Sequence, residues 1–430
     1  MDSISTIKND LLKEESFLHT LDNGLKVYFI PKPGFTKKYA IFSTNYGSND
    51  NEFIPIGEKE PIKVPEGIAH FLEHKLFEEE EGNIFNDFSK LGSYVNAFTN
   101  FNQTAYLFSC TDNFYKNLEL LVSFVESPYF TDENVNKEKG IIAQEIKMYD
   151  DNPGWKVFFN SLKAMYHNHP VKKDIAGTVE SISEIDKETL YKCYNTFYHP
   201  TNMILFLVGD IDFEKAIETI ENNIKKDREN INSPIQRIYP NEPKEIQKRY
   251  IEESLSVSIP LFNIGFKDSD VGYDGDKLLK KEIMTNLLLD MLFGESTEFY
   301  TSMYEEGVIN NSFGSQFVAS KTYSHSIIGG ESENPKLVLD KLIDYIKNLN
   351  KRGLNKEDFD RIKNKMIGHH IMSFDSLEYI ANSFIKYEFQ GSSLFNYINI
   401  LKDIEFKDIE NRFKEHFTDQ NYILSVIKPK

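Results

Sequence analysis

The chain has 430 residues, 40% of them hydrophobic, and carries a formal charge of −18. That length calls for two domains or more, and that apolar content excludes a disordered chain. The acidic balance excludes a nucleic-acid partner, which needs clustered Lys and Arg, and matches an anionic membrane surface poorly.

The N-terminal stretch "MDSISTIKNDLLKEESF" lacks a basic segment followed by an apolar one, so no signal peptide is expected. "NGLKVYFIP" (23–31) pairs a turn signal with a β-rich run, and "KKYAIFSTNYGS" (37–48) reads as a second strand ending in a glycine turn. A helix over 66–78, "EGIAHFLEHKLFE", follows. "GSYVNAFTNFNQTAYLFSC" (92–110) gives two strands around a polar turn. "DNFYKNLELLVSFVESP" (112–128) has helical apolar spacing. The stretch 132–154 is another helix, acidic in its first turn and stopped by Pro-Gly. A helix over 186–200 leads into a buried strand, "NMILFLVGD" (202–210). Its apolar core is far too short to span a membrane. The two cysteines, Cys110 and Cys193, lie in apolar stretches and predict buried thiols rather than a disulfide framework. A soluble, cytoplasmic protein is the expectation.

Residues 226–247 are polar, carry prolines and read as a linker between an N-terminal unit, 1–225, and a C-terminal unit, 248–430. Beyond the linker the order of elements restarts, with a strand over 256–268 and a helix over 277–294. "LYKCYNTFYHPTNMILFLVGD" (190–210) lies over "IENRFKEHFTDQNYILSVIKP" (409–429). Asn202 meets Asn421, Ile204 meets Ile423 and Leu205 meets Leu424. The shared helix–turn–strand pattern predicts a duplicated α+β unit.

The helix over 66–78 carries the chemistry. Positions i and i+4 share a helix face, so His70 and His74 point the same way and can hold one metal ion. Glu73 flanks that face. The order is the mirror of the HExxH zinc helix. A catalytic zinc needs a third protein ligand and an open position for water. The 132–150 helix offers Glu138 and Glu145, two turns apart on one face, around the run "KGIIAQ", which is apolar enough to be buried. Of the two, Glu145 is preferred as third ligand; His167, His169, His199, His369 and His370 are rivals. His369 and His370 are adjacent and read as exposed or capping residues. Such a site predicts hydrolysis of a peptide bond by water, with Glu73 taking the proton.

"HFLEH" followed some seventy residues later by "EKGIIAQE" resembles the pitrilysin/insulinase family of inverted-motif zinc peptidases. "GSYVNAFT", "GTVESISEID" and "YHPTNMILFLVGD" resemble further landmarks of that family, and "QEIKMYDDNPGW" is similar to its short two-domain members in Gram-positive bacteria. The resemblance implies His70, His74 and Glu145 as zinc ligands, Glu73 as general base and Glu138 as a supporting carboxylate at the catalytic site. It implies that the strand at 93–99 is an edge to which substrate peptide adds, with Asn96 and Ala97 as substrate contacts. It implies two homologous α+β units, each a mostly antiparallel sheet packed with helices, which make half of a clam-like chamber. "NLLLDMLF" (286–293) lies over "HFLEHKLF", placing Asn286, Leu289 and Asp290 opposite the motif residues. One zinc per chain is therefore expected. The family also grips the substrate carbonyl with an Arg and a Tyr from the second unit. Here "MYEEGVIN" (303–310) puts Tyr304 at the Arg position and Val308 or Asn310 at the Tyr position. The expectation is a dimer, preferably with a related chain that supplies the missing pair, and otherwise a homodimer. A scaffold subunit of the same fold is the alternative.

Overall fold

The structure is a computed structural model that describes residues 4–80, 82–225 and 234–430. Residues 226–233, the start of the expected linker, lie outside the described residues. The chain forms two compact units. The first comprises Met1–Ile146, Asp174–Ile238 and Ser373–Phe389; the second comprises Lys147–Lys173, Tyr239–Met372 and Gln390–Lys430.

The first unit is built on a seven-stranded sheet. Its order is Ser5–Asn9, Glu14–Thr20, Lys26–Pro31, Met203–Gly209, Lys38–Thr44, Thr104–Cys110, Tyr94–Thr99. Only the Met203–Gly209 and Lys26–Pro31 pair is parallel. Every residue of Met203–Gly209 is buried, as a near-continuous apolar run in a central strand requires. Tyr94–Thr99 ends the sheet, so the strand carrying Asn96 and Ala97 is an edge. The second unit repeats the plan with five strands, in the order Tyr250–Leu255, Tyr422–Pro429, Leu261–Asp268, Ser324–Glu331, Gly314–Ala319. Again one pair, Tyr250–Leu255 with Tyr422–Pro429, is parallel.

The repeat read from sequence recurs in hydrogen bonds. Asn202 donates through Nδ2 to the carbonyls of Phe197 and Asn45, at 2.8 and 3.2 Å. Asn421 donates in the same way to His416 and Lys267, at 2.8 Å each. In each unit one carboxamide ties the end of a helix to a neighbouring strand, which is why an asparagine stands at both places.

Sequence patterning does not anticipate one feature of the units. The Pro153-Gly154 pair does end the helix Asp132–Asp150, but it also opens a new one, Pro153–Met165. Asn152 caps that helix, accepting from the Trp155 amide at 3.1 Å, and Pro153 sits in its first turn, where a missing N–H costs nothing. This helix packs in the second unit, where Ser425 donates to the Val157 carbonyl at 3.0 Å. The helix Leu377–Phe389 belongs to the first unit. There Tyr28 donates to Glu388 at 2.8 Å, and the Phe384 ring lies 4.8 Å from those of Tyr28 and Phe206.

Candidate metal centre

Two helices of the first unit make the site. The motif helix runs Ile68–Leu76 and buries Ile68, Phe71, Leu72 and Leu76 almost completely. That apolar face fixes its rotation and leaves His70, Glu73 and His74 to share what remains. The helix begins at Gly67, whose φ of 88° favours glycine, and a Cβ there would meet the Ala176 carbonyl oxygen at 2.3 Å. Lys75 is fully buried, paired with Glu78 and reaching the Asn134 carbonyl at 3.4 Å. It ties the motif helix to the start of the helix Asp132–Asp150, where Thr131 and Asn134 cap each other's amides at 2.9 and 3.1 Å. That second helix buries Val135, Glu138, Ile142 and Ile146 on one stripe. Ile141 is exposed, so the "KGIIAQ" run is only half covered, contrary to the sequence reading.

His70, His74 and Glu145 come together: their donor atoms all lie within 4.8 Å of one another. His70 Nε2 is 3.6 Å from Glu145 Oε1, and His74 Nε2 is 3.5 Å from Glu145 Oε2. These gaps exceed ordinary hydrogen-bond lengths. They approach the edge of a tetrahedron of zinc ligands, about 3.3 to 3.4 Å for bonds of about 2.0 to 2.1 Å. Two imidazoles and a carboxylate are also the donor set of many hydrolytic zinc sites, so the residues present fit the metal.

Glu138 stands behind His74, with Oε1 3.0 Å from Nδ1. That contact draws the imidazole proton to Nδ1 and leaves the Nε2 lone pair facing Glu145. Burial opposes charge on His74, but Glu138, Glu73 and Glu145 outweigh it and raise its pKa. His70 differs. Its Nδ1 is buried with no hydrogen-bond partner among the described residues, and burial, with His74 beside it, lowers its pKa to about 3. His70 is thus held neutral, the form in which imidazole donates a lone pair to metal. Glu73 is buried, which raises its pKa to about 7 against the lowering effects of Thr99 and His74. Thr99 donates to Glu73 Oε2 at 2.7 Å.

The edge strand adjoins this group. Asn100 donates to the Gln103 carbonyl at 2.8 Å, which sets the ladder parity, so the main-chain groups of Ala97 and Val95 face away from the sheet. The Ala97 amide instead meets Asn96 Oδ1 at 2.9 Å.

The rival histidines do not join. His169 Nε2 contacts Thr322 at 3.0 Å, and His199 Nδ1 contacts Thr201 at 2.8 Å. His369 is exposed, but His370 is buried and stacks on Tyr397 with centroids 4.3 Å apart, so its expected exposure is wrong. The helix turns the second of the two adjacent rings inward. Among the described residues no metal-binding group of His, Cys, Asp or Glu occurs in the second unit. There Asn286 bonds the Phe317 main chain, with 3.0 Å to its amide, and Asp290 pairs with Lys365 at 2.9 Å. Tyr304 is exposed and stacks on Tyr300, and Asn310 donates to Glu331 at 2.9 Å. Thr99, Gly67 and Lys75 were not singled out from sequence; the "NAFT" run before the turn was the only signal for Thr99.

An inverted His-x-x-Glu-His helix faced by a glutamate from a second helix, on a duplicated α+β scaffold, defines a zinc-protease-like class. Comparison with known proteins agrees. The model "Insulinase (Peptidase family M16)" matches residues 53–179, and "Peptidase M16 inactive domain" matches 184–366. The chain is 44% identical to the uncharacterized zinc protease YmfH of Bacillus subtilis, across 99% of this chain and 100% of that protein. It superposes on an M16-like peptidase from Alicyclobacillus acidocaldarius with a TM-score of 0.93 and 37% identity, covering 97% of this chain and 99% of the other. A Helicobacter pylori protease shares the fold, with a TM-score of 0.82 at 21% identity over 97% of this chain and 100% of that one. The chain belongs to the insulinase family, peptidase family M16.

Proposed function

We propose that the chain is a zinc-dependent endopeptidase acting on peptides or unfolded segments, with His70, His74 and Glu145 holding one zinc ion. The observation that carries this reading is the convergence of those three donors beside the buried Glu73. The metal supplies acidification of water and polarisation of a carbonyl. Glu73 takes the proton of the attacking water and hands it to the departing amine. Glu138 keeps the His74 Nε2 lone pair directed at the ion. The peptide pairs with the outward main-chain groups of Ala97 and Val95, and the Asn96 side chain must release the Ala97 amide to admit it. We place this activity in the cytoplasm, a reading supported by two buried cysteines that are both unpaired thiols. No helix among the described residues is long and apolar enough to cross a membrane.

The reading includes a dimer with a related chain that contributes an Arg and a Tyr as oxyanion donors, since Tyr304, Val308 and Asn310 do not reproduce that pair. The same departure favours the second reading, a non-catalytic subunit. A quenched-peptide assay separates them. Chelator-sensitive cleavage by the chain, alone or mixed with a related chain, and its loss in Glu73→Gln support the peptidase. No cleavage in either setting contradicts it.

A further inference from the structure

We propose that Thr99 is the positioning residue of the site: its hydroxyl fixes the Glu73 carboxylate and couples it to the strand along which peptide is laid. The inference rests on the peptidase reading above.

Thr99 is the last residue of the edge strand Tyr94–Thr99. Side chains alternate along a strand, so Thr99 shares a face with Val95 and Ala97, which pack on the core. A polar side chain on that covered face needs a partner. It has one in Glu73 Oε2 at 2.7 Å, an ordinary O–H···O length. An ionised carboxylate only accepts, so Thr99 is the donor. Thr104 lies 3.2 Å from the Thr99 hydroxyl but donates its own proton to the Tyr46 carbonyl at 2.9 Å. Thr104 can therefore only accept from Thr99, at a longer distance than Glu73 Oε2, which holds the shorter bond. With Oε2 occupied, Oε1 is the oxygen that exchanges protons with water.

The coupling follows from strand geometry. Ala97 and Thr99 are two residues apart, about 7 Å along the strand, and both turn their main chain outward. A peptide paired at Ala97 continues past Thr99, whose side chain holds the base from the other face. One residue thus relates the track of the substrate to the oxygen that takes the proton. A base displaced by about 1 Å loses on the order of a hundredfold in rate. Binding along the edge, which uses main-chain groups, does not depend on the hydroxyl.

The test compares Thr99→Val, which keeps the shape and removes the proton, with Thr99→Ser, which restores it. The Val variant is expected to take up zinc as the parent does, with KM unchanged and kcat lower by roughly ten- to a hundredfold. The Ser variant recovers most of that loss. An unchanged kcat in Val, or a Ser variant as slow as Val, overturns the proposal. If Val does not fold, Thr99→Ala is read by the same criteria. Crystal structures give a readout apart from turnover. Glu73 is expected to keep its place in Ser and to leave it or take several rotamers in Val; an undisturbed Glu73 in Val overturns the proposal. If the parent protein cleaves nothing, alone or mixed with a related chain, the peptidase reading falls, and the crystallographic comparison still decides the role of Thr99.

Discussion

At the scale of the residue, the two motif histidines are held unequally. His74 has Glu138 behind its Nδ1 at 3.0 Å, whereas the buried Nδ1 of His70 has no partner among the described residues. In the proposed zinc site His74 is therefore the oriented ligand and His70 the compliant one. Replacing Glu138 by Gln keeps the volume and removes the charge that steadies the imidazole. The expected result is zinc affinity weaker by roughly tenfold, with stoichiometry unchanged at saturation, measured by competition with a chromophoric chelator. Unchanged affinity would show that Glu138 is only a buried carboxylate with a convenient neighbour. This part of the site was legible in the sequence. The spacing of His70 and His74 fixes their common face, and the seven-residue separation of Glu138 and Glu145 fixes theirs. Thr99 was not legible as a partner of Glu73. It lies 26 residues away, and its hydroxyl reaches the base only because a hairpin and a helix pack together.

At the scale of the element, the edge strand is the part whose behaviour can be changed without touching the metal. The Ala97 amide faces away from the sheet and makes no ladder bond, so proline, which lacks that proton, is tolerated there as it is on sheet edges generally. Ala97→Pro removes one donor from the peptide track. The expected outcome is a several-fold rise in KM with zinc content unchanged and the melting temperature nearly so, read from steady-state kinetics and thermal unfolding. A proline variant with parental KM would mean that substrate does not add to this strand. Element reading from sequence worked where the apolar pattern was strong, periodic in Ile68–Leu76 and continuous in Met203–Gly209. It placed the stop at Pro153-Gly154 but missed the helix that follows, because the same pair that stops one helix opens the next once Asn152 caps it. It failed for His370 because two adjacent histidines read as polar surface, while Tyr397, from another helix, covers the second ring.

At the scale of the whole molecule, a duplicated scaffold carries one candidate metal centre among the described residues. The second unit has used its polar side chains otherwise. Asp268 is surrounded by Arg412, Lys281 and His416, and these hold its carboxyl well below the usual range although burial opposes them. Asn286 spends its carboxamide on the Phe317 main chain, and Asp290 is paired with Lys365. The duplication was visible in Asn202 over Asn421, because both asparagines make equivalent helix–strand ties. The reciprocal placement of Pro153–Met165 and Leu377–Phe389 was not, since an amphipathic helix does not state which sheet it covers. The central claim is one zinc ion per chain, held by His70, His74 and Glu145. Metal analysis of the purified protein beside a Glu145→Gln variant tests it most directly. About one zinc per parent chain, sharply reduced in the variant while the fold is kept, is the predicted result. No zinc in the parent, or an equal amount in the variant, would contradict it.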